Sequence, residues 1–265
     1  MTTRAIPARV AGVLEELELR RPKLVTVALL ADVIATRAAG VAVRYVADTL
    51  QRRGWLLPLR TAGAWEFAPA ARAGAYGAGD PYIELRATLL RRPGLPIAVA
   101  EESAAWLHGL LERRPDREVI AAPRGVAPPK ALSEFRCVRI DSHLPAAEVD
   151  GLPVWRLETL LVAMAARPSA FRPWATVSEW LPDAFLGAAA ADIEIEIQGR
   201  SGATLARLGH LARAAGATEV ERLLAMRSAS LDPGPFYLGP RSRSAVWDPV
   251  WRVRDSVLGG KKLGP

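Results

Sequence analysis

Residues 41–67 read VAVRYVADTLQRRGWLLPLRTAGAWEF. Val43, Val46, Ala47 and Leu50 recur at i, i+3, i+4 and i+7, the spacing of one face of a helix. The reading predicts a helix from about Val41 to Arg53, closed by Gly54, with Arg44, Tyr45, Asp48, Thr49, Gln51 and Arg52 on its other face. At Trp55 the period changes. Trp55, Leu57 and Leu59 alternate on one face of an extended run, and Trp65 and Phe67 share a face of a second. The four residues Thr61-Ala62-Gly63-Ala64 make the turn between them. Pro58 cannot donate to a sheet ladder, so the first run is expected at an edge.

Upstream the helical period appears twice more. Val10, Val13, Leu14 and Leu17 mark a helix over about 8–19, stopped by Arg20, Arg21 and Pro22. Thr26 suits the N-cap of a second helix with Val27, Leu30, Val33 and Ile34 inward, ending near Arg37 and Gly40. Three helices followed by a hairpin are the order of a winged helix-turn-helix. In that geometry the third helix enters the major groove and its N-terminal side chains reach base edges. Arg44, Tyr45, Asp48 and Thr49 are then the candidate readers, with Arg44 suited to guanine. Arg52, Arg53, Lys23 and Arg37 are placed for phosphates, and Arg60, at the hairpin tip, for the minor groove or its backbone. Residues 1–60 hold ten Lys and Arg against five Asp and Glu, and so carry most of the formal net charge of +7. A local basic field of this kind matches double-stranded DNA, because each neutralised phosphate releases a condensed counterion.

Downstream, Gly74 to Gly79 is a connector of mostly small residues, which divides the chain into a DNA-binding domain, 1–75, and a second domain, 76–265. In the second, helices are expected from Asp80 to Leu90 and from Glu101 to Leu111. Short strands are expected at 95–99, 118–121, 135–140 and 154–155. Helices then dominate, at 156–166, 177–185, 204–215 and 219–225, with a mobile tail from Gly259. A small sheet followed by packed helices makes the fold class α+β.

The chain has 265 residues, half of them hydrophobic, so it can bury large cores. No apolar run is long enough to span a bilayer, no secretory signal precedes Arg9, and Cys137 stands alone; a cytoplasmic location without membrane contact is expected. Enzyme signatures are missing. His108, His143 and His210 lack metal-ligand spacing, Ser201 lacks a nucleophile elbow, and neither a phosphate-binding glycine loop nor a dinucleotide fingerprint occurs. Asp192, Glu194 and Glu196 alternate, and on a strand they would share a face and hold a divalent cation. The expectation is nonetheless a non-enzyme with no catalytic residue, no metal and no cofactor.

Several strings together resemble the AbiEi antitoxins. Gly54 to Leu59 followed by Gly63 to Pro69 resembles the wing of that family, and Asp80-Pro81-Tyr82 the start of its next helix. Ser103-Ala104-Ala105-Trp106-Leu107-His108-Gly109, Arg167-Pro168-Ser169-Ala170-Phe171-Arg172-Pro173-Trp174, and Gly199-Arg200-Ser201 through Thr204 to Gly209 resemble its later signatures. The resemblance runs from about Val10 to Val257 and departs at His210, where an aromatic is expected, and at Asp192 to Ile197, where a helix is expected. It implies an antitoxin of a type IV toxin–antitoxin operon linked to abortive infection by phage. Such a protein represses its own promoter through the winged helix. It also opposes an AbiEii-like nucleotidyltransferase toxin, directly or through the toxin's target. The alternative from the residues alone is a one-component transcriptional regulator with a ligand-sensing second domain.

Overall fold

A computed structural model describes residues 5–70, 79–259 and 263. The chain forms two compact units, residues 1–95 with 128–134, and residues 96–127 with 135–265. The sequence-based boundary at 75/76 lies outside the described residues, as does the connector except for Gly79.

The first unit is a winged helix-turn-helix. It runs α1 (Ala8–Arg20), β1 (Leu24–Thr26), α2 (Val27–Arg37), α3 (Val43–Arg52), β2 (Leu56–Pro58), β3 (Ala64–Phe67) and α4 (Ile83–Arg91). The stripe read from the sequence forms the inner face of α1: Val10, Val13, Leu14 and Leu17 are all buried. They pack with Leu30, Val33 and Ile34 of α2 and with Val46, Ala47 and Leu50 of α3. Each large aliphatic side chain so buried contributes about 1.5–3 kcal/mol relative to an exposed one. Arg21 ends α1 in the left-handed region, its N–H bonded to the Leu17 carbonyl at 2.8 Å, and Pro22 prevents continuation. Thr26 caps α2 as expected, its hydroxyl accepting from the Leu29 N–H at 3.2 Å.

Two readings change here. Val27, expected in the core stripe, is 48% exposed: as the first residue of α2 it lies against the wing turn, its N–H 3.3 Å from the Gly63 carbonyl. Residues 24–26 form a strand that the sequence reading did not include, and the wing is a three-stranded antiparallel sheet in the order β1-β3-β2. Pro58 does lie on an edge strand.

The wing turn is clamped from below. The Glu84 carboxylate of α4 accepts from the backbone N–H groups of Arg60 and Thr61 and from the Thr61 hydroxyl, and Arg91 donates to the Ala62 carbonyl. A short 3-10 turn, Lys130–Leu132, returns to this unit and packs against α4.

In the second unit a five-stranded mixed sheet has the order β6-β5-β4-β8-β7. Its strands are β4 (Ala98–Val99), β5 (Val119–Ala122), β6 (Arg136–Arg139), β7 (Ala147–Val149) and β8 (Leu152–Val154), with α5 (Glu101–Leu107) between the first two. The helical part follows as α6 (Leu157–Ala166), α7 (Trp174–Gly187), α8 (Ala190–Glu196), α9 (Gly202–Ala214) and α10 (Thr218–Ala225). The centre is α6, buried from Glu158 to Ala165 on every side, which is why its apolar residues run on without a polar face. On α9 the chain needs a glycine: a Cβ on Gly209 would stand 2.4 Å from the Trp251 ring.

The alternating stretch 192–197 is α8 and not a strand. Ile193 and Ile197, one turn apart, are buried, whereas Ile195 is 41% exposed. The three acids therefore do not share a face, and the sequence-derived picture of a cation held along a strand is withdrawn. A last small sheet was also not anticipated: β9 (Phe236–Leu238) runs parallel to β11 (Val253–Asp255), which pairs antiparallel with β10 (Val246–Asp248). Within the expected mobile tail, Leu263 is docked, its N–H 2.7 Å from the Ala214 carbonyl. No helix among the described residues is long and apolar enough to cross a membrane.

Candidate DNA-binding face

The helical period sets which side chains of α3 face outward. At about 100° per residue, Gln51, Arg44, Asp48, Arg52 and Tyr45 occupy one arc of about 120°. All five are exposed, the Arg44 side chain to 94%. Within the arc, Arg44 Nε stands 3.9 Å from the Asp48 carboxylate, a loose pair that screening weakens, and Arg52 Nε donates to the Asp48 carbonyl at 3.1 Å. The N-cap, Ala42, offers no side-chain acceptor, and the first turn holds no acid. The N–H groups of that turn therefore stay open to an anion, and the helix dipole favours one there.

Thr49, read from the sequence as a base contact, is turned inward. It is 5% exposed, and its hydroxyl finds no hydrogen-bond partner among the described residues. Gln51, which the sequence reading placed on the outer face without a DNA-contacting role, has its Oε1 accepting from Trp65 Nε1 at 3.1 Å and ties α3 to the wing strand β3. A glutamine on the outer face of one helix and a tryptophan on a following strand gave no signal of pairing, because the contact depends on how the strand folds back.

The backbone candidates divide. Lys23 and Arg53 are exposed, the first just ahead of β1 and the second at the C-cap of α3. Arg37 is engaged within the scaffold, its Nε and Nη2 both reaching Glu16 on α1, at 3.0 and 2.7 Å. Hydrogen bonds from Arg20 and then from Arg37 hold the Glu16 carboxyl below its usual range. Arg60 is likewise engaged, donating to the Ser133 hydroxyl and pairing with Glu134 on the returning segment.

In the second unit the polar residues that stood out in the sequence bind the fold together. Glu196 is buried. Its Oε2 accepts from the Ser142 hydroxyl and the His143 and Leu144 N–H groups at 3.0–3.1 Å, and its Oε1 pairs with Arg200 at 2.6 Å. Asp192 pairs with Arg156 at 2.8 Å. Ser103 donates to Glu118 and accepts from the Val119 N–H, stapling α5 to β5. Glu101, fully buried at φ +49°, sits between Arg136 and Arg167 at 2.6 and 3.4 Å. His210 lies between Asp248, 2.8 Å from Nδ1, and Asp255, 3.4 Å from Nε2. Burial pushes the imidazole down, but the hydrogen bonds to Asp248 and Asp255 outweigh it and raise its pKa to about 9. Among the described residues no three His, Cys, Asp or Glu side chains gather as a metal site.

These details place the sequence in a known context. Over residues 97–213 the chain matches the family model for the AbiEi antitoxin C-terminal domain. Residues 97–213 thus resemble an AbiEi antitoxin C-terminal domain. The strings Ser103 to Gly109, Arg167 to Trp174 and Thr204 to Gly209 fall within it. The fold extends beyond the AbiEi domain in both directions. The crystal structure of the RV2827C protein from Mycobacterium tuberculosis is similar over 97% of this chain and 94% of that one, with a TM-score of 0.77 and 28% identity. The sequence has no match among curated proteins.

Proposed function

We propose that this protein is a DNA-binding autorepressor and antitoxin of a type IV toxin–antitoxin pair, without catalytic activity of its own. The single observation that carries the DNA-binding half is α3: its core side is filled, its uncapped N-terminus is open to phosphate, and its exposed arc is polar and cationic. Arg44, Tyr45 and Asp48 read base edges in the major groove, and Arg44 takes guanine O6 and N7 with its planar fork. Lys23, Arg52 and Arg53 hold phosphates and fix the register. Thr49 supports the helix from behind. Arg37 and Arg60 act through the scaffold, Arg37 by joining α1 to α2 and Arg60 by anchoring the wing turn.

The AbiEi domain supports the antitoxin half. The partner is a nucleotidyltransferase-like toxin, countered directly or through its target. Co-expression tests both halves. The full chain is expected to relieve growth arrest by such a toxin encoded beside it, and to silence a reporter driven by its own upstream DNA. The double substitution Arg44→Ala with Arg52→Ala should release the reporter while leaving toxin relief intact. Failure of the wild-type chain to silence the reporter would remove the repressor reading. The alternative, a regulator with a ligand-sensing second domain, gains support from one feature of the second unit, a cleft lined with arginines.

A further inference from the structure

We propose that this cleft, about 830 Å³ in volume and lined by Arg172, Arg207 and Arg241, is a binding site for a nucleotide, held through its phosphate. Arg172 precedes α7, Arg207 projects from α9, and Arg241 follows β9. Two strings that stood apart in the sequence, Arg167 to Trp174 and Thr204 to Gly209, thus meet at one place.

The charge balance of the cleft is the first argument. Three guanidinium groups line it and no Asp or Glu does. Like charges gathered without an acid repel, and an anion entering among them relieves that repulsion. Arg207 makes the case sharper. It is partly buried, and its bonds are to main-chain carbonyls: Nε to Tyr237 at 2.7 Å and Nη1 to Ala165 at 3.2 Å. Burial pushes its pKa below the ordinary arginine range. Carbonyl dipoles orient the guanidinium but do not neutralise it. A planar fork fixed in this way is suited to two parallel hydrogen bonds to a phosphate.

The size and walls of the cleft argue for more than a bare phosphate. Tyr237 lines it with the Arg241 guanidinium 4.9 Å from its ring centroid, beside the largely buried Trp174. A guanidinium plane stacked on an aromatic ring is itself a surface on which a base can stack, independent of base identity. The wall is also tightly built: at Gly239, φ +88°, a Cβ would stand 2.4 Å from Val257 Cγ1 and 2.6 Å from Ser256 Oγ. Only glycine lets the turn after β9 close onto 256–257. The site lies wholly within the second unit and does not depend on the DNA-binding proposal.

A free mononucleotide and the terminal nucleotide of a single-stranded RNA present the same chemistry, and calorimetric titration of the full chain separates them. AMP should bind saturably and adenosine should not. Arg172→Ala and Arg241→Ala, both exposed arginines whose loss should leave the melting temperature unchanged, should each weaken AMP binding by about tenfold or more. AMP binding at least as tightly as a short RNA assigns the site to free nucleotides. RNA binding more than about tenfold tighter, and losing that advantage in Arg241→Ala, assigns it to a strand end. The proposal is overturned if AMP and the RNA both fail to bind. It is also overturned if adenosine binds as well as AMP, or if both alanine variants, still folded, bind the probes as tightly as the wild type.

Discussion

Thr49 and Arg44 sit on one helix, both were candidates for reading bases, and the side of the cylinder each occupies separates them. Thr49 points to the core with an unsatisfied hydroxyl. Thr49→Val removes that oxygen and keeps the shape, so stability should hold or rise by up to about 1 kcal/mol. Operator affinity should not change. A denaturant titration beside a binding curve checks both, and a loss of DNA affinity would return Thr49 to the groove. His210 is a different case. Its folded pKa of about 9 lies above the ordinary 6.5, so it favours the folded state fully below pH 6.5, and that contribution disappears as pH rises through about 9. The gap corresponds to roughly 3 kcal/mol. Asp248 and Asp255 work in the opposite direction. Burial raises both, yet bonds from His210 and from backbone N–H groups leave them below the usual carboxylate range, so their contribution is lost on acidification. Thermal melts between pH 6.5 and 9.5 should show falling stability for the wild type and a flatter profile for His210→Gln. Parallel profiles would mean that the cluster carries no linked proton.

Helices and strands differ in how much of them the sequence disclosed, and the reason is period and length. The first helix was legible because its stripe repeats over two turns and a proline closes it. The strand at 24–26 was not, being three residues whose partner lies some forty positions away. Asp192 to Ile197 misled because alternation over six residues fits a strand, while the deciding pair, Ile193 and Ile197, fits a helix equally well. The last small sheet escaped for the same reason as the first strand: its runs are three residues long and were short of apolar alternation. Of the candidate site, the outward arc of α3 followed from the helical stripe except at Thr49, which lies at its margin and is buried, and the engagement of Arg37 and Arg60 is tertiary and left no local mark. Close approach between elements gives its own prediction. Gly209→Ala drives a methyl into the Trp251 ring, and the overpacked contact should cost about 1–3 kcal/mol or more. A lowered denaturation midpoint with an unchanged slope would show this; an unchanged midpoint would mean that α9 and the last sheet slide apart freely.

Across the chain, charge and structure separate two kinds of chemistry. The first unit has a cationic helix face suited to duplex DNA. The second contains the stretch that matches the AbiEi model; there Asp192, Glu196 and His210 are tied up in holding loops and strands together, and three arginines line one cleft. If Lys23, Arg52 and Arg53 each neutralise one phosphate, the logarithm of affinity should fall with the logarithm of salt at a slope of roughly −2.7 per bound copy. The measurement that tests the central claim most directly is a gel-shift titration of the full chain on its own upstream DNA and on random DNA, at two salt concentrations, with wild type and Arg44→Ala side by side. The account predicts sequence-selective, salt-sensitive binding by the wild type, with Arg44→Ala losing roughly 1–3 kcal/mol on the specific site and little on random DNA. Equal affinity of the wild type for both DNAs, or an equal loss on both from Arg44→Ala, would contradict it.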